Sequence, residues 1–228
     1  MSGSRVGGPA DDHRRVAADF TTVVEGVTDW DAPAPVEGWA ARDVVDHLVT
    51  WFPAFLAGGG VALDVDLPSD DPGDASSRPR PGTRAGAVRR PRPGTPAGAV
   101  RRPRPGTPAR AWRAHADAVQ HLLDGPDADR PFTHPHAGTH PLDQAVAQFY
   151  TADVFMHTWD LARASGQDVD LDADRCAAML AGMQPIEEML RASGQYGPAV
   201  PVPDDASVQD RFVAFIGRDP AWAPPARA

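Results

Sequence analysis

Lysine is absent from this 228-residue chain: all 22 of its basic side chains are arginine, set against 31 Asp and Glu. With Ala, Arg, Gly and Pro so frequent, the absence fits the coding bias of a GC-rich genome rather than a functional choice. Cysteine is nearly absent too. A lone Cys176 excludes an intrachain disulfide framework and any Cys-rich zinc module. No run approaches the ~18 apolar residues that span a bilayer as a helix, so no membrane partner is expected. Met1 to Asp12 is Gly/Ser-rich and polar, without the hydrophobic stretch of a signal peptide. The expected setting is cytoplasmic. No glycine-rich phosphate loop, GxSxG elbow or dinucleotide fingerprint occurs.

What is present suffices for a folded body. An apolar content of 42% is ordinary for a globular protein and argues against wholesale disorder. The length suits a single domain over 1–228, interrupted once. The interruption is a low-complexity segment at 76–108 built on a tandem repeat. Pro79 to Arg90 reads PRPGTRAGAVRR, Pro91 to Arg102 reads PRPGTPAGAVRR, and a partial copy starts at Pro103. Between Ser76 and Pro108 there are 9 Arg and no acid, so the other 13 Arg face all 31 acids and the body carries −18. The repeat has no hydrophobic face, and its prolines block helix and sheet ladders. It is expected to be a disordered, polyproline-like insertion. Such an insertion is tolerated because loop-closure cost grows slowly with length. As an interaction arm it would offer arginines to a partner. A nucleic-acid partner is disfavoured, because no aromatic residues interleave for base stacking.

Elsewhere the periodicity is helical. Asp11 or Asp12 can cap a first helix with Val16, Phe20, Val23 and Val27 on one face. A second is expected from about Arg42 to Leu56, with Pro53 kinking or tightening its end and Gly58-Gly59-Gly60 stopping it. A third starts after Pro108, with Trp112, His115 or Ala116, Val119 and Leu122/Leu123 inward, and ends at Gly125-Pro126. The fourth and longest follows Pro141 through Val146, Phe149/Tyr150, Asp153, His157 and Leu161 to a Gly166 cap. A fifth covers Ala173 to Ala192, interrupted near Pro185, and a short one covers Ser207 to Ile216. The fold class is therefore all-α: an antiparallel four-helix bundle with extra C-terminal helices.

The fourth helix carries the chemical anomaly. Asp153 and His157 are four residues apart and share a face with Val146, Tyr150 and Leu161, the stripe assigned to the core. Burying an acid and an imidazole there is costly unless they are paired or hold a cation. His47 poses the same problem on the second helix, beside Val44, Leu48 and Trp51. Bundles build metal sites from facing helices in this way. Two imidazoles and a carboxylate suit Zn²⁺ and other divalent ions and leave a position open. Spacing alone also allows a helix-surface acid–His pair and a satisfied core histidine.

A resemblance bears on these alternatives. Gly38-Trp39 followed by Arg42-Asp43-Val44-Val45-Asp46-His47-Leu48 resembles the GW-x-x-RDLv-x-HL signature of the DinB-like family. The stretch from Phe149 through Asp153, His157 and Asp160-Leu161-Ala162 resembles that family's acid-x-x-x-H-x-x-DLA motif. Tyr196-Gly197-Pro198 through Asp210 to Pro220 is similar to the end of an actinobacterial branch. The nearest likeness is to the metal-binding N-terminal domains of mycothiol-dependent maleylpyruvate isomerases. The resemblance implies a bundle holding one divalent metal through His47, Asp153 and His157. Zn²⁺ is favoured over Ni²⁺ or Mn²⁺, and Asp160 would either orient a ligand histidine from behind or simply face water. It implies mycothiol as co-substrate with a small electrophile, in a transferase or isomerase-type reaction, and a homodimer. Asp153 stands where those isomerases carry Glu or His, and Ala40-Ala41 where relatives place a capping Thr or Ser. Two-domain isomerases carry a further domain that contributes to catalysis, whereas about 60 residues follow the fourth helix here.

The other candidates read more plainly. His134, His136 and His140 are expected to be exposed loop histidines, although they could cover the site or bind a surface ion. His115 and His121, six apart, fall on different faces. Trp159 is read as packing and Cys176 as a buried apolar thiol beside Arg175. The alternative function is a non-enzymatic metal- or ligand-binding bundle with an arginine-rich interaction loop.

Overall fold

The computed structural model describes residues 7–65 and 107–225, so nearly all of the arginine repeat, expected to be a disordered loop, lies outside the described residues. Helix α1, Pro9–Gly26, starts three to four residues earlier than the Asp caps predict. Pro9 at the first helical turn has its φ preset and no N–H to satisfy, so Gly8 becomes the cap and Asp11 and Asp12 fall in the first turn. Its buried face is His13, Val16, Ala17, Phe20, Val23 and Val24. Helix α2, Ala41–Gly58, runs past Pro53. Ala40 offers no side-chain cap, but the Asp43 carboxylate accepts the Ala40 N–H at 2.8 Å and replaces half of a capping box. Helix α3, Thr107–Asp124, buries Trp112, His115, Val119 and Leu123. Trp112 donates its Nε1–H to Thr21 Oγ1 at 2.8 Å and packs on Phe20.

An element absent from the sequence expectation follows. Strands β1, Pro131–His134, and β2, Gly138–Pro141, pair antiparallel, so the histidine-rich stretch is a hairpin rather than a loop. The polypeptide then forms one long helical run. It begins as α4, Leu142–Ala145, passes through a π-helical stretch, Val146–Thr151, and continues as α5, Ala152–Ala164. Gly166 ends it at φ +69°, a conformation that suits glycine. Helix α6, Ala173–Met183, is capped by Asp172 and followed by a 3₁₀ turn, Gln184–Ile186, and α7, Glu187–Ala192. Helix α8, Val208–Phe215, is capped by Ser207.

Among the described residues the fold is helical apart from the hairpin. Helices α1 and α2 each pack on both α3 and α5, and α6 packs on α8. Their apolar stripes meet in one core that also receives Phe132 from the hairpin and Phe212, Val213 and Ile216 from α8 and its end. Among the described residues no helix is long and apolar enough to cross a membrane.

Candidate metal centre

The loop before α2 builds one wall of the site. Gly38 sits at φ +77°, and the amide of Ala34 donates to the Trp39 carbonyl at 2.8 Å. Buried Arg42 pins the same loop, pairing with Asp31 and donating its Nε–H to the Trp30 carbonyl. The turn thereby holds Trp39 over two histidines. Its ring centroid lies 5.7 Å from that of His157, stacked, and 5.2 Å from that of His47.

Beneath Trp39 the structure brings together the residues expected from the sequence. One ligand-type atom each from His47, Asp153 and His157 lie within 4.8 Å of one another. His47 Nε2 is 3.0 Å from Asp153 Oδ2, and His157 Nε2 is 3.5 Å from Asp153 Oδ1. The shorter Asp side chain therefore spans the gap between α5 and α2. Trp51 donates its indole N–H to Asp153 Oδ2 at 2.9 Å. The site is open on one side: His47 keeps 32% of its side chain exposed, Asp153 18% and His157 5%.

Asp160 lies on the far side of His157. Its Oδ2 is 2.8 Å from His157 Nδ1, and the residue is fully buried. Burial would raise its pKa, but Arg218 and His157 hold it below the usual carboxylate range. An ionised carboxylate only accepts, so Nδ1 is the protonated nitrogen and, in the neutral ring, Nε2 turns a lone pair toward Asp153. The same balance acts on Asp153: burial pushes its pKa up, and His157, His47 and Trp51 bring it below its ordinary value. His157 is pushed down by burial and raised on balance by Asp153 and Asp160. The donor set fits a divalent ion: two imidazoles, one carboxylate, one ring anchored by a second carboxylate, and access from one side.

A family comparison decides the kinship. The family model of the mycothiol maleylpyruvate isomerase N-terminal domain matches residues 13–162. The chain belongs to that family. All three candidate ligands and Asp160 fall inside the matched segment. Two curated relatives are the uncharacterized proteins MT0763 and Rv0738 of two Mycobacterium tuberculosis strains. Each is 33% identical over 84 residues, covering 34% of this chain and 46% of the relative. The chain thus spans less than half the length of the curated relatives it matches. No solved structure matches it.

The remaining candidates do not join the site. His134 stacks on Phe55, and His140 bonds the Ala137 carbonyl and meets Phe149, so two of the three hairpin histidines are half-buried rather than free. His115 is buried and His121 exposed, on different faces as expected. Trp159 is core, with the Arg163 guanidinium 5.7 Å from its ring centroid. Cys176 is buried, and burial with the Asp172 charge pushes its thiol up to about 11, which excludes a thiolate near neutral pH. Sequence reasoning assigned no role in the site to Trp39, Trp51, Arg218 or Tyr196. Burial and the nearby Asp153 charge raise the Tyr196 phenol, which keeps it protonated within electrostatic reach of the site.

Proposed function

We propose that this protein is a metal-dependent enzyme working with a low-molecular-weight thiol, mycothiol being the one its family's name carries. On this reading α1, α2, α3 and the Leu142–Ala164 run form the antiparallel four-helix bundle of the DinB-like fold. One domain covers 1–228, with α6 to α8 as additions. His47, Asp153 and His157 hold one divalent ion, Zn²⁺ in the first place and Ni²⁺ or Mn²⁺ otherwise. The observation that carries the reading is the convergence of three ligand atoms within 4.8 Å, from two helices, on a ring anchored from behind.

A bound ion would supply acidity to a coordinated thiol, making a nucleophile available near neutral pH. The protein's own residues do the rest. Asp153 supplies negative charge against the ion, while Trp51 fixes its carboxylate. Trp39 packs against both imidazoles and covers them from one side. The reaction class is thiol transfer to a small electrophile, or a thiol-assisted isomerisation. A cytoplasmic setting, where small thiols are kept reduced, suits it.

Elemental analysis of protein purified without an affinity tag, beside its His47→Ala variant, tests the reading. The expected result is about one divalent ion per chain, lost in the variant. No metal in either protein after metal-replete growth would overturn it.

A further inference from the structure

The cation that steadies Asp160 comes from outside the segment the family model matches. Arg218 lies 58 positions further along the chain, just beyond α8. Its Nε–H donates to Asp160 Oδ1 at 3.3 Å and its Nη2 to Oδ2 at 3.0 Å, so one guanidinium grips both oxygens. Oδ2 is also the atom that meets His157 Nδ1 at 2.8 Å. On its other side Arg218 donates from Nη1 to the Ile216 carbonyl at 3.0 Å, which ties the guanidinium to the backbone at the end of α8. A continuous path of hydrogen bonds therefore runs from that backbone through Arg218 and Asp160 to a ring facing the open site.

We propose that Arg218 is a positioning residue of the metal centre: its grip on Asp160 fixes the His157 ring, and through it the C-terminal segment sets the site's affinity for its ion. This inference rests on the metal reading above. A carboxylate held by one imidazole alone can rotate about its Cβ–Cγ bond, and the imidazole swings with it. The planar guanidinium fork removes that rotation, which a point charge such as an ammonium does not. Swinging the ring would carry Nε2 away from Asp153 and out of line with His47. Losing a partner that orients a ligand imidazole typically weakens metal binding by about 10–100-fold.

The competing account is that Arg218 only holds the tail down. Arg163 provides the control, because it ties the tail without touching Asp160: its Nε and Nη2 donate to the Trp222 carbonyl at 3.1 and 2.6 Å. The test compares the full-length protein with Arg218→Gln, Arg218→Lys and Arg163→Gln. Co²⁺ affinity, the visible spectrum of the Co²⁺ form and thermal melting are recorded for each. In metal-free protein the proton of the His157 Nδ1–H···Asp160 bond is followed as a downfield proton resonance. Arg218→Gln is expected to bind Co²⁺ about 10–100-fold more weakly, with an altered spectrum and without that resonance. Arg218→Lys should fall between, and Arg163→Gln should match wild type in affinity and spectrum even where its melting drops. Wild-type affinity, spectrum and resonance in Arg218→Gln would overturn the inference, as would equal losses of affinity in Arg163→Gln. If Arg218→Gln does not fold, Arg218→Lys carries the comparison, since it keeps a cation against the buried carboxylate. A wild-type protein that binds no Co²⁺ removes the metal reading instead, and the metal-free resonance still decides whether Arg218 orients His157.

Discussion

At the scale of single residues, two core histidines behave oppositely to His157. His13 and His115 are fully buried, and burial lowers each from 6.5 to about 4. His13 Nδ1 meets Thr151 Oγ1 at 2.9 Å, and the mutual proximity of the two rings further opposes charging His115. Between about pH 4 and 6.5 the unfolded chain binds protons at both positions and the folded chain does not. Their contribution to stability is therefore complete above pH 6.5 and declines as pH falls toward 4, by about 3 kcal/mol for each. His157 has the reverse sign: its raised pKa contributes stability at lower pH that is lost as pH climbs through the folded value. Urea unfolding of metal-free protein from about pH 4.5 to 7 should show midpoints rising with pH. His115→Leu should flatten that slope, and an unchanged slope would remove His115 from the account. These residues also mark what the sequence revealed. Asp153 and His157 were legible because two ligand types on an apolar stripe break the pattern. His13 extends the Val16, Ala17, Phe20 face by one turn and could have been read in the same way. Trp51 could not, because a tryptophan on a core stripe reads as packing. Nor could Arg218, whose partner is 58 residues away.

At the scale of elements, the helices followed their 3.6-residue periodicity, and the hairpin did not announce itself. Its strands are four residues each and carry prolines at Pro131 and Pro141, which weakens the alternation that marks a strand. The π-helical stretch was equally hidden, since adding a residue to a turn leaves composition unchanged. Its effect is to bury Tyr150 and Thr151 in succession just ahead of Asp153. The hairpin explains the glycines at the end of α2 better than a stop signal does. Gly60 takes φ +76°, whereas Gly59 is needed for close approach: a Cβ there would meet the buried Phe132 ring at 2.1 Å. A Cβ on Gly58 would meet only the Nε2 edge of half-buried His134, at 2.7 Å. Gly59→Ala should therefore cost about 1–3 kcal/mol through overpacking, and Gly58→Ala less, because His134 can swing aside. Denaturant titration of the two variants measures the difference, and equal costs would mean that the hairpin does not rest on Gly59.

At the scale of the whole molecule, the question is whether the fold needs its ion. A structural metal site holds groups that repel or go unsatisfied without the metal, so chelation unfolds the protein. Here the candidate ligands satisfy one another. Asp153 accepts from Trp51 and pairs with both histidines, and Asp160 is neutralised by Arg218. The core that carries these helices, from Phe20 and Phe52 to Phe212, is continuous. Metal binding then adds stability by mass action rather than creating the fold. At a free ion concentration about 100-fold above Kd the gain is about 2.7 kcal/mol. Protein stripped with a chelator should keep its helical far-ultraviolet circular dichroism and melt cooperatively at a lower temperature. Added Zn²⁺ should raise the melting temperature in proportion to the logarithm of its concentration, and His47→Ala should abolish that rise. Loss of helical signal on chelation would mean instead that the ion is structural. The open side of the site would then have no catalytic reason, and the non-enzymatic reading would take precedence over thiol chemistry.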